Sequence, residues 1–387
     1  MAVLDVARAR QDRLIKLNRT VTTRSLSLWR RGMTADFDAS YGLIESDLNR
    51  QVQVGQLRAA EGATRTAARF ASEYGLGGSG DAVVPQSFVG IDGSGRELGT
   101  LLYGAVTTAK TAVGAGLGTT RALETGAAYL AAMIKTAMAD LGRSSDLTAA
   151  TSRRFAEYVR LVSPGACSRC AILAGKSSYK VAFKRHPACK CTAAPVPDGE
   201  SAPTGFHATP DAYFASLSPA EQDRVFTKAG AEAIRAGADP VSVASARRGA
   251  TGISWSTRGT TVPNSRRRLE RTRIGTKPDG SPILGYVTNE GNTVRGAFGK
   301  QQVAAGTGTV KVGTRYSTVK RTRLMPETIV GLTDDIETRR VLLRDAGYLE
   351  RPIRDTSNNK WIAEREAGIR EDRERADAFY RSLGVTL

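Results

Sequence analysis

Four cysteines and a histidine crowd into one short stretch of the sequence, residues 167–191. They follow the spacing C-x2-C-x15-H-x2-C-x-C and include every cysteine of the 387-residue chain and one of its two histidines. Thiolate and imidazole are the ligands that suit zinc in a tetrahedral site. The spacing therefore predicts a metal centre that holds zinc. The candidate ligands are Cys167, Cys170, His186, Cys189 and Cys191.

A tetrahedral ion has four ligand positions and the sequence offers five candidates, so one of the five lies near the ion without binding it. If protein groups fill all four positions, the zinc is structural, because a catalytic zinc keeps one position open for water. The stretch contains six Lys or Arg residues and no carboxylate, and such surroundings lower thiol pKa values and offset thiolate charge. We therefore expect a structural zinc. Reduced cysteines packed in a core without metal are the alternative.

Nucleophilic catalysis has little support in the sequence. If His186 binds metal, His207 is the histidine left to act as a base, and its Gly-Phe-His-Ala setting is typical of an ordinary surface or packing residue. The H-E-x-x-H, G-x-S-x-G and P-loop patterns do not occur. We expect no enzymatic activity, although a serine paired with a lysine or an acid would need no local signature.

Positive charge is concentrated in two segments of a chain whose net charge is +18. Residues 1–33 carry eight Lys/Arg against two acids, and residues 241–325 carry sixteen against three. Such blocks favour an anionic partner, and contact with phosphates needs little besides flexible cations. We expect non-specific nucleic-acid contact from the second block, and a solvated face or an acidic protein partner is the alternative. The candidate residues are Arg247, Arg248, Arg266, Arg267, Arg268, Arg271, Arg273, Lys320, Arg321 and Arg323.

The hydrophobic periodicity predicts a mainly α protein, multi-part and elongated, with a small α+β zinc-stabilised central domain and an irregular or β basic segment. We divide it into an N-terminal helical region (1–80), a central core with the cysteine cluster (90–255), a basic Gly/Thr-rich extended or β segment (256–325) and C-terminal helices (326–387). Residues 75–80 are interpreted as a glycine linker. Predicted helices cover about 5–31, 36–74, two within 97–142, one from 147, 218–237, 240–248 and 360–383, with strands near 158–162, 283–287 and 309–312.

Two further features bear on the compartment. The first twelve residues lack the apolar run of a secretory signal, so we expect a reducing compartment, which disfavours disulfides and favours metal binding. The most apolar run, residues 98–117, is interrupted by Lys110 and by glycines. We interpret it as a buried or oligomer-facing helix and expect no membrane span.

The cysteine stretch resembles the Mu F-type head morphogenesis domain of tailed phages. The family motif is a C-x2-C knuckle, a Leu-x-Gly step and then H-P-x-C-x-C, and each of its positions is present here. Residues 219–239 and 246–249 also resemble the actinobacterial-phage branch of this family. The resemblance is strongest over about 90–255. The matching positions are Cys167, Cys170, Leu173, Gly175, His186, Pro187, Cys189 and Cys191.

The resemblance implies a minor capsid protein, inside the head or at the portal vertex of the virion, that passes through the host cytoplasm during assembly. It would act in head assembly, DNA packaging or DNA delivery. Its partners would be the portal protein, the major capsid or scaffold protein, and packaged DNA. The alternatives are a capsid maturation protease or other head-processing enzyme, and a nucleic-acid-binding protein outside the virion.

Overall fold

A computed structural model describes residues 2–76, 83–248, 250, 253–254, 268–269, 271–350 and 360–387. The described chain is mainly helical with small antiparallel sheets, which confirms the prediction of a mainly α protein with small β elements. It divides into two compact units. The N-terminal unit takes in the described residues up to Ala166 and Leu173–Tyr213, and the C-terminal unit takes in Cys167–Ile172 and the described residues from Phe214 onward.

Long helices build most of the N-terminal unit. Small residues let these helices approach closely: a Cβ atom on Gly126 would lie 2.7 Å from the ring of Trp29, and one on Gly55 would lie 2.5 Å from Val21. Leu102, Leu130 and other aliphatic side chains fill the core between the helices. The helices are α1 (Val3–Gly32), α2 (Phe37–Glu73), α3 (Leu98–Gly114) and α4 (Thr119–Thr151), with a short 3-10 turn at Pro85–Phe88.

A three-stranded antiparallel sheet completes the N-terminal unit, in the order β2-β1-β3. Val159 of the central strand lies opposite Lys176 on one side and Ala194 on the other. The predicted strand at 158–162 is confirmed as β1, shifted by one residue. The strands are β1 (Glu157–Leu161), β2 (Lys176–Ser178) and β3 (Thr192–Val196).

One predicted helix boundary in this unit is wrong. We expected a helix to end near Gly142 and another to begin near Leu147, but α4 continues to Thr151. Gly142 is buried within α4, where a Cβ atom would lie 3.0 Å from Leu14 of α1. Its lack of a side chain therefore serves helix packing, whereas sequence reasoning took the glycine for a helix end.

The C-terminal unit combines short helices with two-stranded antiparallel pairs: β4 with β5, β6 with β7, β8 with β11 and β9 with β10. Its helices are α5 (Ser168–Ala171), α6 (Pro210–Ser216, which begins in the N-terminal unit), α7 (Pro219–Phe226), α8 (Lys228–Arg235), α9 (Pro240–Ala246), α10 (Ala297–Ala304), α11 (Pro326–Leu332), α12 (Ile336–Asp345) and α13 (Lys360–Leu383). Its strands are β4 (Ile253–Ser254), β5 (Arg268–Leu269), β6 (Thr272–Thr276), β7 (Pro282–Gly285), β8 (Val287–Thr288), β9 (Thr309–Val312), β10 (Tyr316–Val319) and β11 (Arg323–Leu324).

The helix predicted over 218–237 is two helices. Its start is confirmed: the Ser218 hydroxyl accepts from the backbone N–H of Glu221, and the Glu221 carboxylate accepts from the backbone N–H of Ser218. The chain then breaks at Thr227, whose φ of 69° is rare for a β-branched residue. Thr227 ends α7 and caps α8 by accepting from the N–H of Gly230 at 3.3 Å.

Over the described residues, the basic segment forms the strand pairs that the β alternative of its prediction expected, together with the short helix α10. Ile274, Val287 and Val319 are buried there, so the strand pairs contribute to a core. The helix predicted at 360–383 is confirmed. Part of the predicted glycine linker, residues 77–80, lies outside the described residues, and the four-part division of the chain stays a prediction. None of the described helices combines the length and the apolar composition that a bilayer crossing requires.

Candidate metal centre

The first two candidate ligands sit on the C-x2-C knuckle. Cys167 precedes α5, and its carbonyl accepts from the backbone N–H of Cys170 at 2.9 Å and of Ala171 at 3.1 Å. This tight turn places both thiols on one side of the knuckle. Cys167 is exposed and Cys170 is buried.

The other three candidate ligands lie on a second turn, the H-P-x-C-x-C segment. The N–H of Cys189 donates to the carbonyl of His186 at 3.2 Å. Ala188 has a φ of 57°, a left-handed conformation that lets the chain double back between the two ligands. Its N–H donates to the hydroxyl of Thr136 on α4 at 2.9 Å. Helix α4 therefore holds this turn in place.

The five candidate side chains form two overlapping groups. Cys167, Cys170 and His186 make one, and Cys170, Cys189 and Cys191 make the other, and within each group the ligand atoms lie within 4.8 Å of one another. Zn–S bonds of about 2.3 Å in a tetrahedral site would separate two sulfurs by about 4 Å. The groups could therefore hold a metal ion, and their donor atoms suit zinc.

A buried arginine–aspartate pair on α4 stabilises the backbone of the second turn. Arg143 of α4 donates to the carbonyl of Cys189 at 3.0 Å and to that of Cys191 at 3.2 Å. Asp140, one helical turn earlier, accepts from Arg143 at 2.5 Å and from Arg185 at 2.7 Å. Side-chain exposure is 8% for Arg143 and 9% for Asp140. The backbone carbonyls of Cys189 and Cys191 are thus held by the buried guanidinium of Arg143, which in turn pairs with Asp140.

Hydrogen bonding also reaches one of the thiols. The backbone N–H of Ser163, just beyond β1, lies 3.5 Å from Sγ of Cys191 and points at it as a donor. Hydrogen bonds of this kind orient metal ligands, so this contact fixes the position of the Cys191 thiol.

The surroundings of the cluster differ from the carboxylate-free setting that the sequence predicted. Asp140 comes from α4 to pair with Arg185, and Glu157 of β1 accepts from Lys176 at 2.8 Å. Sequence reasoning missed Asp140 and Arg143, because they precede the cysteines by more than twenty residues. Their D-x-x-R spacing places both side chains on one face of a helix, and it could have indicated an Asp–Arg ion pair there.

His207 lies outside both groups of candidate ligands. It is half-buried and meets the ring of Tyr213 edge-on, with ring centres 5.2 Å apart. Burial lowers the pKa of His207, and the nearby charge of Arg8 lowers it further. This is the ordinary packing histidine that its sequence context predicts.

The predicted nucleic-acid residues have different environments. Arg321 and Arg323 are buried: Arg321 pairs with Asp345 at 2.9 Å, and Arg323 donates to the carbonyl of Ala346 at 2.8 Å. Both stabilise the fold, so we withdraw them as phosphate contacts. Arg266, Arg267 and the side chain of Arg268 lie outside the described residues.

The other members of the predicted set lie nearer the surface. Arg247 pairs with Glu327 and is half-buried, while Arg248 is exposed and pairs with Glu290 at 2.9 Å. Arg271, Arg273 and Lys320 are exposed. Only part of the predicted basic block is therefore presented to solvent by the described residues.

No protein-family model, curated protein or solved structure matches this chain.

Proposed function

We propose that this chain is a minor capsid protein of a tailed phage, of the Mu F-like type, inside the head or at the portal vertex. It acts in head assembly, DNA packaging or DNA delivery. The observation that supports this best is the cysteine cluster. All five candidate ligands of the family motif, separated by up to 24 positions in sequence, come together in two groups that share Cys170.

We propose zinc as the ion and a structural role for it. Cys170, Cys189 and Cys191 are buried at 2%, 1% and 0% exposure, which is unsuited to an ion that must admit a substrate. These three thiols would supply three of the four zinc ligands. Either Cys167 or His186, each of which lies close to Cys170, would supply the fourth. A site filled by protein ligands contributes to folding stability and leaves no position for a reactive water.

The proposed partners follow from the proposed location. A protein at the portal vertex meets the portal protein and the major capsid or scaffold protein, and inside a filled head it meets packaged DNA. The net charge of +18 suits enclosure with DNA. During assembly the chain would be in the host cytoplasm.

The zinc proposal is tested by metal analysis of the purified chain and of matched variants. We expect about one zinc per chain, and we expect Cys170→Ser to lose it, because Cys170 belongs to both groups. The two histidines provide a control: His186→Ala weakens zinc retention against a chelator by about 10-fold or more, whereas His207→Ala does not. A chain that keeps its thermal unfolding transition unchanged after complete chelation would contradict a structural zinc.

The location is tested by searching purified phage heads for the chain and counting copies per head. We expect a few copies per particle. Its absence from heads, together with its presence in the soluble fraction of infected cells, would overturn the proposal. Incubation of the chain with the major capsid protein distinguishes a structural role from a protease. Cleavage of the major capsid protein would identify a maturation protease, and we expect no cleavage.

A further inference from the structure

A groove between α1 and α2 is lined by arginines that the sequence analysis did not single out. Arg13 comes from α1, and Arg58, Arg65 and Arg69 come from α2; we call these four the groove arginines. All four are exposed. The groove encloses about 340 Å³, and Leu14, Leu17 and Gly62 also line it. Two rigid helices of the same unit therefore present one concentrated positive surface.

The groove arginines have no carboxylate within 4.0 Å among the described residues. Their charges act on one another: burial lowers the pKa of Arg13, and the nearby charges of Arg10, Arg69 and Arg65 lower it further. Four like charges gathered in one groove repel each other, which opposes folding unless an anion lies among them. The arrangement is that of a binding surface.

The floor of the groove is built differently from its walls. Arg10 is buried, and it pairs with Asp146 at 2.8 Å and donates to the carbonyl of Ala59 at 2.8 Å. Its guanidinium crosses α2 at Gly62, where a Cβ atom would lie 2.4 Å from Nη1. Arg10 is therefore a neutralised structural residue, and the exposed groove arginines are the ones available to a ligand.

The positive surface is a stripe along the two helices. A second concavity, lined by Arg24, Arg50 and Asp47, adjoins the first and shares Leu17 and Arg58 with it, and Asp47 lies 3.9 Å from Arg50. From Arg50 to Arg69 the stripe spans 19 residue-to-residue steps of α2, which is about 28 Å at the rise of a helix. That length equals about eight steps of a nucleic-acid strand at about 3.4 Å each.

We propose that the α1–α2 groove binds the phosphate backbone of nucleic acid through Arg13, Arg58, Arg65 and Arg69. The stripe is too long for a single compact anion, and its members are arginines, whose planar guanidinium matches phosphate in two-pronged contacts. None of the described residues that line the groove is aromatic. The groove therefore offers phosphate contacts without stacking on bases, and the contact is independent of sequence.

This inference deepens the proposed contact with packaged DNA by giving it a location. It relies on that part of the proposed function alone. Its test uses the purified chain and bare DNA, so that a negative result here leaves the proposals on zinc and on head location standing.

The experiment measures fluorescence anisotropy of labelled DNA, as a duplex and as a single strand of about 20 nucleotides, across salt concentrations of about 50 to 200 mM. The test variant is Arg58→Gln/Arg65→Gln/Arg69→Gln. We expect it to bind at least about 10-fold more weakly at the lowest salt and to reduce the slope of log K against log salt by about 2 to 3, since each phosphate contact contributes about 0.9.

A matched control removes the same charge from another exposed helix surface: Arg370→Gln/Arg375→Gln/Arg381→Gln on α13. We expect the control to keep a slope within about 1 of the unmodified chain. Equal losses in both variants would assign binding to net charge and overturn the proposal. So would tighter binding of the unmodified chain to polyglutamate than to DNA, since that result identifies an acidic protein as the occupant. Far-ultraviolet circular dichroism verifies that both variants fold.

Discussion

Arginine has opposite roles in two regions of this molecule. In the C-terminal unit, Arg321 is buried between Asp345 and Asp377, at 2.9 and 2.7 Å. Arg323 is enclosed over the ring of Tyr348, with its guanidinium carbon 4.1 Å from the ring centre. In the α1–α2 groove of the N-terminal unit, the groove arginines are exposed and no described carboxylate lies within 4.0 Å of them. One residue type stabilises a core in the first region and presents charge to solvent in the second.

The difference shows that segment charge is a poor guide to binding surface. Residues 241–325 carry an excess of thirteen positive charges, and part of that excess is consumed by pairing. Helix α2 carries four arginines against five acids, so a charge count treats it as neutral. The arginines Arg58, Arg65 and Arg69 nevertheless share one face of α2. Binding potential depends on which face each charge occupies.

The largest effect is expected where the buried arginines lose their carboxylate. Asp345→Asn leaves Arg321 and Arg373, which it contacts at 2.9 and 2.8 Å, without that negative charge. Arg321 keeps Asp377 at 2.7 Å, but Arg373 loses its described carboxylate partner. Because a largely buried charge without its partner is costly, we expect the free energy of unfolding to fall by about 3 kcal/mol. Chemical denaturation measures this, with the fully exposed Asp334→Asn as the control. A loss no greater than the control's would show that the pairing does not stabilise the unit.

An intermediate effect is expected at the floor of the groove. Gly62→Ala places a methyl group 2.4 Å from Nη1 of Arg10, so the guanidinium must shift against the bonds that its Nε and Nη2 make to Asp146 and Ala59, and we expect a loss of about 1 kcal/mol in the free energy of unfolding. Gly42→Ala, on the same helix with nothing within 4 Å, should instead stabilise by about 0.5–1 kcal/mol. Thermal unfolding measures the stability of both variants against the unmodified chain. A Gly62→Ala variant more stable than the unmodified chain would contradict the packing described for Arg10.

The smallest effect is expected for a single groove arginine. Arg65→Gln removes a like charge from the cluster, so we expect the free energy of unfolding to stay level or to rise by up to about 0.5 kcal/mol. Added salt should stabilise the unmodified chain slightly more than the variant, because it screens the repulsion. Denaturation at low and high salt gives the comparison. A loss above about 1 kcal/mol would place Arg65 with the structural arginines and erase the contrast between the two regions.

Much of the helical architecture was predictable from local chemistry. Helices α1, α2 and α13 fall within two residues of their predicted ends, since apolar periodicity and caps are local signals. The failures have a common cause. Gly142 and Thr227 take their roles from partners, Leu14 for one and the N–H of Gly230 for the other, and a glycine or threonine in sequence does not show which partner it will meet.

In the candidate site too, local features were predictable from the sequence and features that depend on tertiary packing were not. The thiols and the imidazole were found by spacing, and the structure brings them together. Arg143 and Asp140 escaped sequence reasoning because tertiary packing alone brings α4 to the cysteine turn. The burial of Arg321 and Arg323 escaped for the same reason, as their carboxylate and carbonyl partners follow more than twenty residues later in the chain.

The position of Asp140 has a consequence for recognising distant relatives. Its carboxylate accepts from Arg185, and its Cβ atom lies where a side chain on Gly93 would be 2.7 Å away. Gly93 and Asp140 thus share one small volume, and Asp140 and Arg185 form one ion pair, although the three positions are far apart in sequence. In diverging lineages we expect these positions to change together: a side chain at position 93 calls for a smaller residue at 140, and loss of the acid at 140 removes the partner of the arginines at 143 and 185. We expect an alignment of relatives to show this covariation.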